Sequence, residues 1–280
     1  MNDQPSFEKA WRLLEECLDL IKLKKFNDAL QNINTAISIV NDKGSEKEIA
    51  DFNEKLREIT ESVVRLATQS RSLIFADDSG KVKEALPYLK IARAVSEQLK
   101  EYQQAADCEW DIAFALQRED KYSKSINHYA SAEKLYKQIN DLKKAANSLT
   151  NMGYLLYRLG RNSEAKTAYE DAIGIYKKFS ISEEMGDAEV GLARVLESSE
   201  VDEAIKHYTN AEKIFNNLEE SRPEKIADIK INIGHYQFSQ KKDAEAFQTL
   251  DEARKLYKQA NNASGIARVD LNIGMLLSRK

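Results

Sequence analysis

The feature that most constrains this chain is a register of small residues that returns about every 40 positions. Ala29, Ala85, Ser125, Ala165, Ala204 and Ala246 form one column. Seven residues further on, alanine stands every time: Ala36, Ala92, Ala132, Ala172, Ala211 and Ala253. Twelve residues before the first column runs a third: Cys17, Leu73, Ala113, Gly153, then Leu192 or Ala193, then Gly234, continued by Gly274. Residues seven apart share one face of a helix, and small side chains there let two helices cross at about 8–9 Å. Between the two small positions of each second helix stands a large one: Ile33, Leu89, Tyr129, Tyr169, Tyr208 and Leu250. The segment Ala145–Tyr176 shows the unit whole, two amphipathic helices joined at LGRN. Such a unit cannot bury its apolar face alone, so copies of it stack into a solenoid of helical hairpins.

One hairpin breaks the spacing. Counting 40 residues from Gly153 reaches Ala193, whereas Leu192 keeps the twelve-residue interval to Ala204. We place Ala193 in the column and one missing residue in the SSEVD turn, because loops absorb deletions and packed helices do not.

A second departure follows the first hairpin. The step from Ala29 to Ala85 is 56 residues, and the excess lies in Ser45–Phe75, a stretch without Gly or Pro. Ser45 and Glu48 form a capping box at its start. Ile49, Phe52, Leu56, Ile59, Val63 and Leu66 then recur at spacings of three and four, which predicts one helix of about 30 residues, near 45 Å long. Its apolar stripe is expected to pack on the first hairpin. A homodimer through residues 45–66 is the alternative use of the same stripe. Pro87, some five residues into the next helix, is expected to kink it or delay its start. Ser221 with Glu224 predicts a cap for a later first helix, with Pro223 in its first turn.

Composition agrees with exposed helices. Apolar residues make up 42% and charged residues 31%, with three prolines and ten glycines. The net charge of −4 comes from interspersed acids and bases, so no nucleic-acid partner is implied. No apolar run is long enough to insert in a bilayer. Two cysteines, Cys17 and Cys108, make neither a disulfide framework nor a metal site, which suits a cytoplasmic, reducing compartment.

The columns resemble tetratricopeptide repeats of the long form seen in Leu-Gly-Asn repeat adaptors, kinesin light chains and Rap-type regulators. The resemblance covers residues 7 to 280 and implies an all-α fold, a right-handed superhelix of helical hairpins with one extended helix after the first. As a single array of residues 1–280 the hairpins fall at about 7–42, 45–100, 102–140, 142–180, 182–218 and 221–260, with a capping helix at 264–280.

In this family the first helices line a concave groove that takes extended peptides or partner helices. Carried over by register, that groove includes Ser70, Ile74, Asp107, Trp110, Phe114, Gln117, Asn147, Thr150, Tyr154, Tyr157, Asp187, Val190, Arg194, Glu197, Asp228, Ile231, His235, Phe238, Arg268, Leu271 and Met275. Asparagine stands two residues before the glycine in TNMGY, INIGH and LNIGM, giving Asn151, Asn232 and Asn272. In related peptide-binding arrays such an asparagine resembles a ladder that grips a main chain, since a carboxamide meets both N–H and C=O. Gly191 takes the place in the fifth hairpin. His128 and His207 share one repeat position and read as surface residues.

No HExxH, CxxC, GxGxxG or Walker loop occurs. The expectation is therefore a non-enzymatic, cofactor-free adaptor or scaffold with a protein or peptide partner. The alternative is a structural subunit of a homo-oligomer or larger assembly, including an NSF-attachment-protein-like trafficking adaptor, acting through its convex face or long helix. The phrase VDEAIKHYTNAEKIF looks like that family.

Overall fold

A computed structural model describes residues 4–75, 79–179, 183–218, 220 and 222–278. The side chains of residues 4–6, 43, 60, 62–75, 79–84 and 276 fall outside that description, and with them Val63, Leu66, Ser70, Leu73 and Ile74. Among the described residues every regular element is a helix, thirteen in all. They divide into two compact units, residues 1–148 and 149–280.

The first unit holds α1 (Gln4–Lys22), α2 (Phe26–Lys43), α3 (Glu46–Phe75), α4 (Ser79–Gln98), α5 (Tyr102–Arg118), α6 (Tyr122–Gln138) and the start of α7 (Leu142–Arg158). Consecutive helices pack on one another: α1 on α2, α3 on α4, α5 on α6. The small columns lie at the crossings. Ala29, Ala36, Ala85, Ala92 and Ala132 are fully buried, as are Cys17 and Ala113. The approach is close enough for a side chain in one column to reach the backbone of the other. The Cys17 thiol donates to the Ala29 carbonyl at 3.1 Å, and the Ser125 hydroxyl to the Ala113 carbonyl at 2.6 Å.

The long helix α3 spans 30 residues and opens with the capping box, in which the Ser45 N–H donates to the Glu48 carboxylate at 2.8 Å. Phe52, Leu56 and Ile59 are fully buried in one core with Ala10, Leu14 and Cys17 of α1, and the Trp11 ring meets the Phe52 ring edge-on at 6.4 Å. Those three residues are thus spent inside their own chain and offer no seam to a second copy. Pro87 lies nine residues into α4, which neither starts late nor ends at it. The expectation of a delayed start fails because the helix already begins at Ser79.

The second unit holds the rest of α7, then α8 (Asn162–Lys178), α9 (Glu183–Leu196), α10 (Val201–Asn216), α11 (Pro223–Ser239), α12 (Asp243–Gln259) and α13 (Ala263–Leu277). Ala165, Ala172, Ala204, Ala211, Ala246 and Ala253 are again fully buried. Pro223 opens α11, whose N-cap is Arg222 with no side-chain cap; Ser221 lies outside the described residues.

The turns repeat as strictly as the helices. Lys24, Lys100, Asp120, Asn140, Gly160, Lys241 and Asn261 all take positive φ, between 53° and 72°. Each sits in a left-handed helix stop, where the next N–H reaches back five residues, as Arg161 does to the Leu156 carbonyl at 2.9 Å. In the fifth hairpin the matching bond runs from Glu200 back only four residues, to Leu196, at 2.8 Å. Leu196 follows Leu156 by 40 and Glu200 follows Arg161 by 39, so the turn has lost its left-handed residue. That places the deletion in the turn and Ala193 in the glycine column.

Candidate functional site

Three first helices of the second unit, α7, α9 and α11, turn one face to a pocket of about 250 Å³. Asn151 and Tyr154 come from α7, Gly191 and Arg194 from α9, and Asn232 from α11, with Asp187, Lys225 and Asp228 at one side. Register explains the convergence: the residue two before each small-column position faces the same way in every hairpin. Both asparagines are half-buried, and Tyr154 and Arg194 are exposed. The structure thus brings Asn151, Asn232, Tyr154 and Arg194 together.

Gly191 has a physical reason for interrupting the asparagines. The Tyr169 ring of α8 lies against its Cα, so a methyl group there would stand 2.3 Å from the ring. The same ring also meets Gly153, whose added methyl would lie at 3.0 Å. A side chain at 191 and a tyrosine at 169 cannot share the space.

A second pocket, about 310 Å³, is lined by Gly234, His235 and Phe238 of α11 and by Asn272 and Met275 of α13. His235 is exposed and Asn272 half-buried. Tyr157 is half-buried on α7. Trp110 and Phe114 belong to the first unit, where their rings stack at 5.5 Å and Trp110 meets Tyr129 edge-on at 5.9 Å.

Several residues expected to face a partner are held by their own chain. The Tyr136 hydroxyl at the end of α6 donates to Asp107 of α5 at 2.6 Å, and Lys144 of α7 pairs with the same carboxylate at 2.9 Å. Burial pushes the Asp107 carboxyl up, but the Tyr136 and Lys144 bonds more than reverse this and hold it below its usual range. The pattern returns at the end of the chain. Tyr257 of α12 donates to Asp228 of α11 at 2.5 Å, and Arg268 of α13 bonds both Asp228 and the Tyr257 hydroxyl. In the hairpin between, Lys225 reaches Asp187 at 2.7 Å and Glu183 at 2.8 Å, with its ammonium 5.1 Å from the Phe215 ring centre. Burial lifts the Asp187 carboxyl, and Lys225 only partly offsets that. Arg268 is therefore a clamp between α11 and α13 rather than a free groove cation. Glu197 likewise accepts the Tyr208 hydroxyl at 2.5 Å.

His128 and His207 are half-buried and held by their own chain rather than free on the surface. Each ring sits 2.5 Å from a buried glutamate of the preceding helix, Glu109 and Glu189, which are 4% and 2% exposed. The signal was in the register, since the two glutamates stand 80 residues apart and the histidines 79. Among the described residues no helix is long and apolar enough to cross a membrane.

Residues 104–178 match the tetratricopeptide repeat model, and residues 145–280 the model described as soluble NSF attachment protein, SNAP. No curated protein matches the chain. Among solved structures, a putative kinesin light chain from Podosopora anserina with nearly identical TPR-like repeats is 15% identical, with 75% of this chain and 99% of that one covered at a TM-score of 0.53. Aspartyl phosphate phosphatase F from Bacillus subtilis is 11% identical, with 99% and 72% covered at 0.53. PilF of Pseudomonas aeruginosa is 16% identical, with 79% and 93% covered at 0.51. At such identities these likenesses speak for the fold alone, and they agree with the alanine register, the packed helix pairs and the repeated left-handed stops. Residues 104–178 thus carry the tetratricopeptide repeat match, within a fold of consecutive packed helices.

Proposed function

We propose that this protein is a non-catalytic interaction module that holds an extended peptide of a partner against α7, α9 and α11. The observation that carries the reading is that Asn151 and Asn232, far apart in sequence, line one pocket with Tyr154 and Arg194. Half-buried carboxamides can pair with a main chain in either direction, which gives affinity independent of the peptide's side chains. Arg194, exposed beside them, suits an acidic residue of the peptide. His235, Phe238, Asn272 and Met275 offer the next pocket to an apolar side chain. Buried free thiols at Cys17 and Cys108 suit a reducing, cytoplasmic setting.

A random peptide library displayed on phage, selected on the whole protein, provides the probe. Replacing Asn151 and Asn232 together by alanine should weaken a selected peptide roughly five- to a hundredfold in fluorescence anisotropy, with the melting temperature nearly unchanged. Full-strength binding by the double variant would move the partner to another face.

The match of residues 145–280 to the SNAP model favours a second reading, an adaptor inside a larger assembly that works through its second helices. Phe247 of α12, 46% exposed, is the residue that reading would use. Selected peptides that survive the asparagine changes but are lost with Phe247→Ser would support it.

A further inference from the structure

Register calls for an asparagine on each of α7, α9 and α11, and the middle position holds Gly191. Where its side chain would stand lies the Tyr169 ring, 4% exposed and seated against the Gly191 Cα. Val190 and Phe215 line the same pocket of about 250 Å³. The middle of the row is thus an apolar floor flanked by the helices that carry Asn151 and Asn232. An apolar cavity of about 150 Å³ already admits benzene, so this space takes one large side chain.

The rim is polar and open to a partner. Among the described residues none hydrogen-bonds the Asn151 or Asn232 carboxamide, and none pairs with Arg194. The neighbouring cations differ, for Lys225 is held by Asp187 and Glu183, and Arg268 by Asp228. Half-buried carboxamides are seldom left without partners. With Arg194 exposed beside them, this rim suits main-chain amides and one negative charge.

Resting on the peptide site proposed above, we infer that this socket selects one large apolar side chain with an acidic residue within two positions of it. The apolar side chain lies over the Tyr169 ring, while Asn151 and Asn232 hold the main chain on either side. Arg194 stands three residues beyond Gly191 on α9, about 4.5 Å along the axis. An extended peptide advances about 3.3 Å per residue, so a carboxylate one or two residues from the apolar one reaches the guanidinium. A third carboxamide at 191 would leave a wall indifferent to peptide sequence. Glycine with a tyrosine behind it makes the wall selective, and Gly191 and Tyr169 are the specificity-determining pair.

Random peptides displayed on phage, selected on the whole protein and in parallel on its Arg194→Glu variant, test this. Arg194 is exposed, so the variant should melt with the natural protein. Peptides from the natural protein should share a large apolar residue with Asp or Glu within two positions. Those from Arg194→Glu should carry Lys or Arg in place of the acid. In fluorescence anisotropy a selected peptide should weaken at least tenfold when its apolar residue becomes alanine, and at least tenfold on Val190→Trp, which fills the socket. The two changes together should cost no more than either alone. Should Val190→Trp lower the melting temperature, the charge exchange at Arg194 decides alone. Peptides that need Asn151 and Asn232 yet share no apolar residue, or that keep their acid on Arg194→Glu, overturn the inference and leave the peptide site standing. Peptides indifferent to the asparagines overturn both.

Discussion

Tyr169 lies across the Cα of Gly191, in van der Waals contact with a neighbouring hairpin's backbone rather than with a side chain. A methyl group at 191 would come within 2.3 Å of the ring, and a buried tyrosine, 4% exposed, has little room to give way. Gly191→Ala should therefore destabilise the protein by about 1–3 kcal/mol. Made on top of Tyr169→Ala, the same change should cost much less. Thermal melts of the two singles and the double give the coupling energy; purely additive effects would show that the ring is not what glycine makes room for.

The left-handed stops predict gains. Lys100 and Lys241 hold φ of 58° and 61° with side chains that carry a Cβ into that region. Replacing either by glycine should raise stability by about 0.5–1 kcal/mol. Gly160, at 72° and with open space around it, should lose about 1 kcal/mol when changed to alanine, through backbone conformation alone. Chemical denaturation curves at constant m-value measure both.

A source of acid sensitivity lies at the start of α9. Hydrogen bonds from Arg222 and Lys225 hold the Glu183 carboxyl down at about 2, against an ordinary 4.5. A carboxyl depressed in the folded state adds stability that is complete above its unfolded value and is lost as pH falls towards its folded one. The Glu183→Gln variant should thus melt below the natural protein at neutral pH. The gap should close between about pH 4.5 and pH 2, where the natural protein also loses the contribution. A gap constant across that range would exclude this carboxyl as a source.

The thiols should be silent. Burial pushes both Cys17 and Cys108 up to about 12, and Cys17 also donates to a backbone carbonyl. Neither should react with a disulfide reagent at pH 8 until denaturant is added, when both should. Rapid labelling of one native thiol would mean that its hairpin opens locally.

Much of the fold was legible because small residues at helix crossings are a steric requirement, and steric requirements leave a strict mark on sequence. Ala29, Ala36 and their successors could be read as a column because nothing larger fits there. The long α3 was legible for a related reason: its Phe52, Leu56 and Ile59 keep helical spacing over an uninterrupted run. The candidate site was less legible. Asn151 and Asn232 could be set on one face by register. That Arg268 is clamped to Asp228 could not be seen, because the partners stand 40 residues apart among many other charges. Gly191 read as a gap in the asparagines, since a sequence does not show which neighbouring ring occupies the space. His128 and His207 read as surface because polar residues on helices usually are, yet each had a glutamate waiting one helix earlier.

The clamps on Asp107, Asp187 and Asp228 have a consequence for how the array comes apart. In each, the carboxylate belongs to one hairpin and the cation to the hairpin after it, Lys144, Lys225 or Arg268. Losing α13 would strand Asp228 with a tyrosine but no cation, and so weaken the unit it leaves behind. Stability then passes along the chain from neighbour to neighbour, and fraying that starts at the last helix should propagate inward hairpin by hairpin, each loss loosening the next.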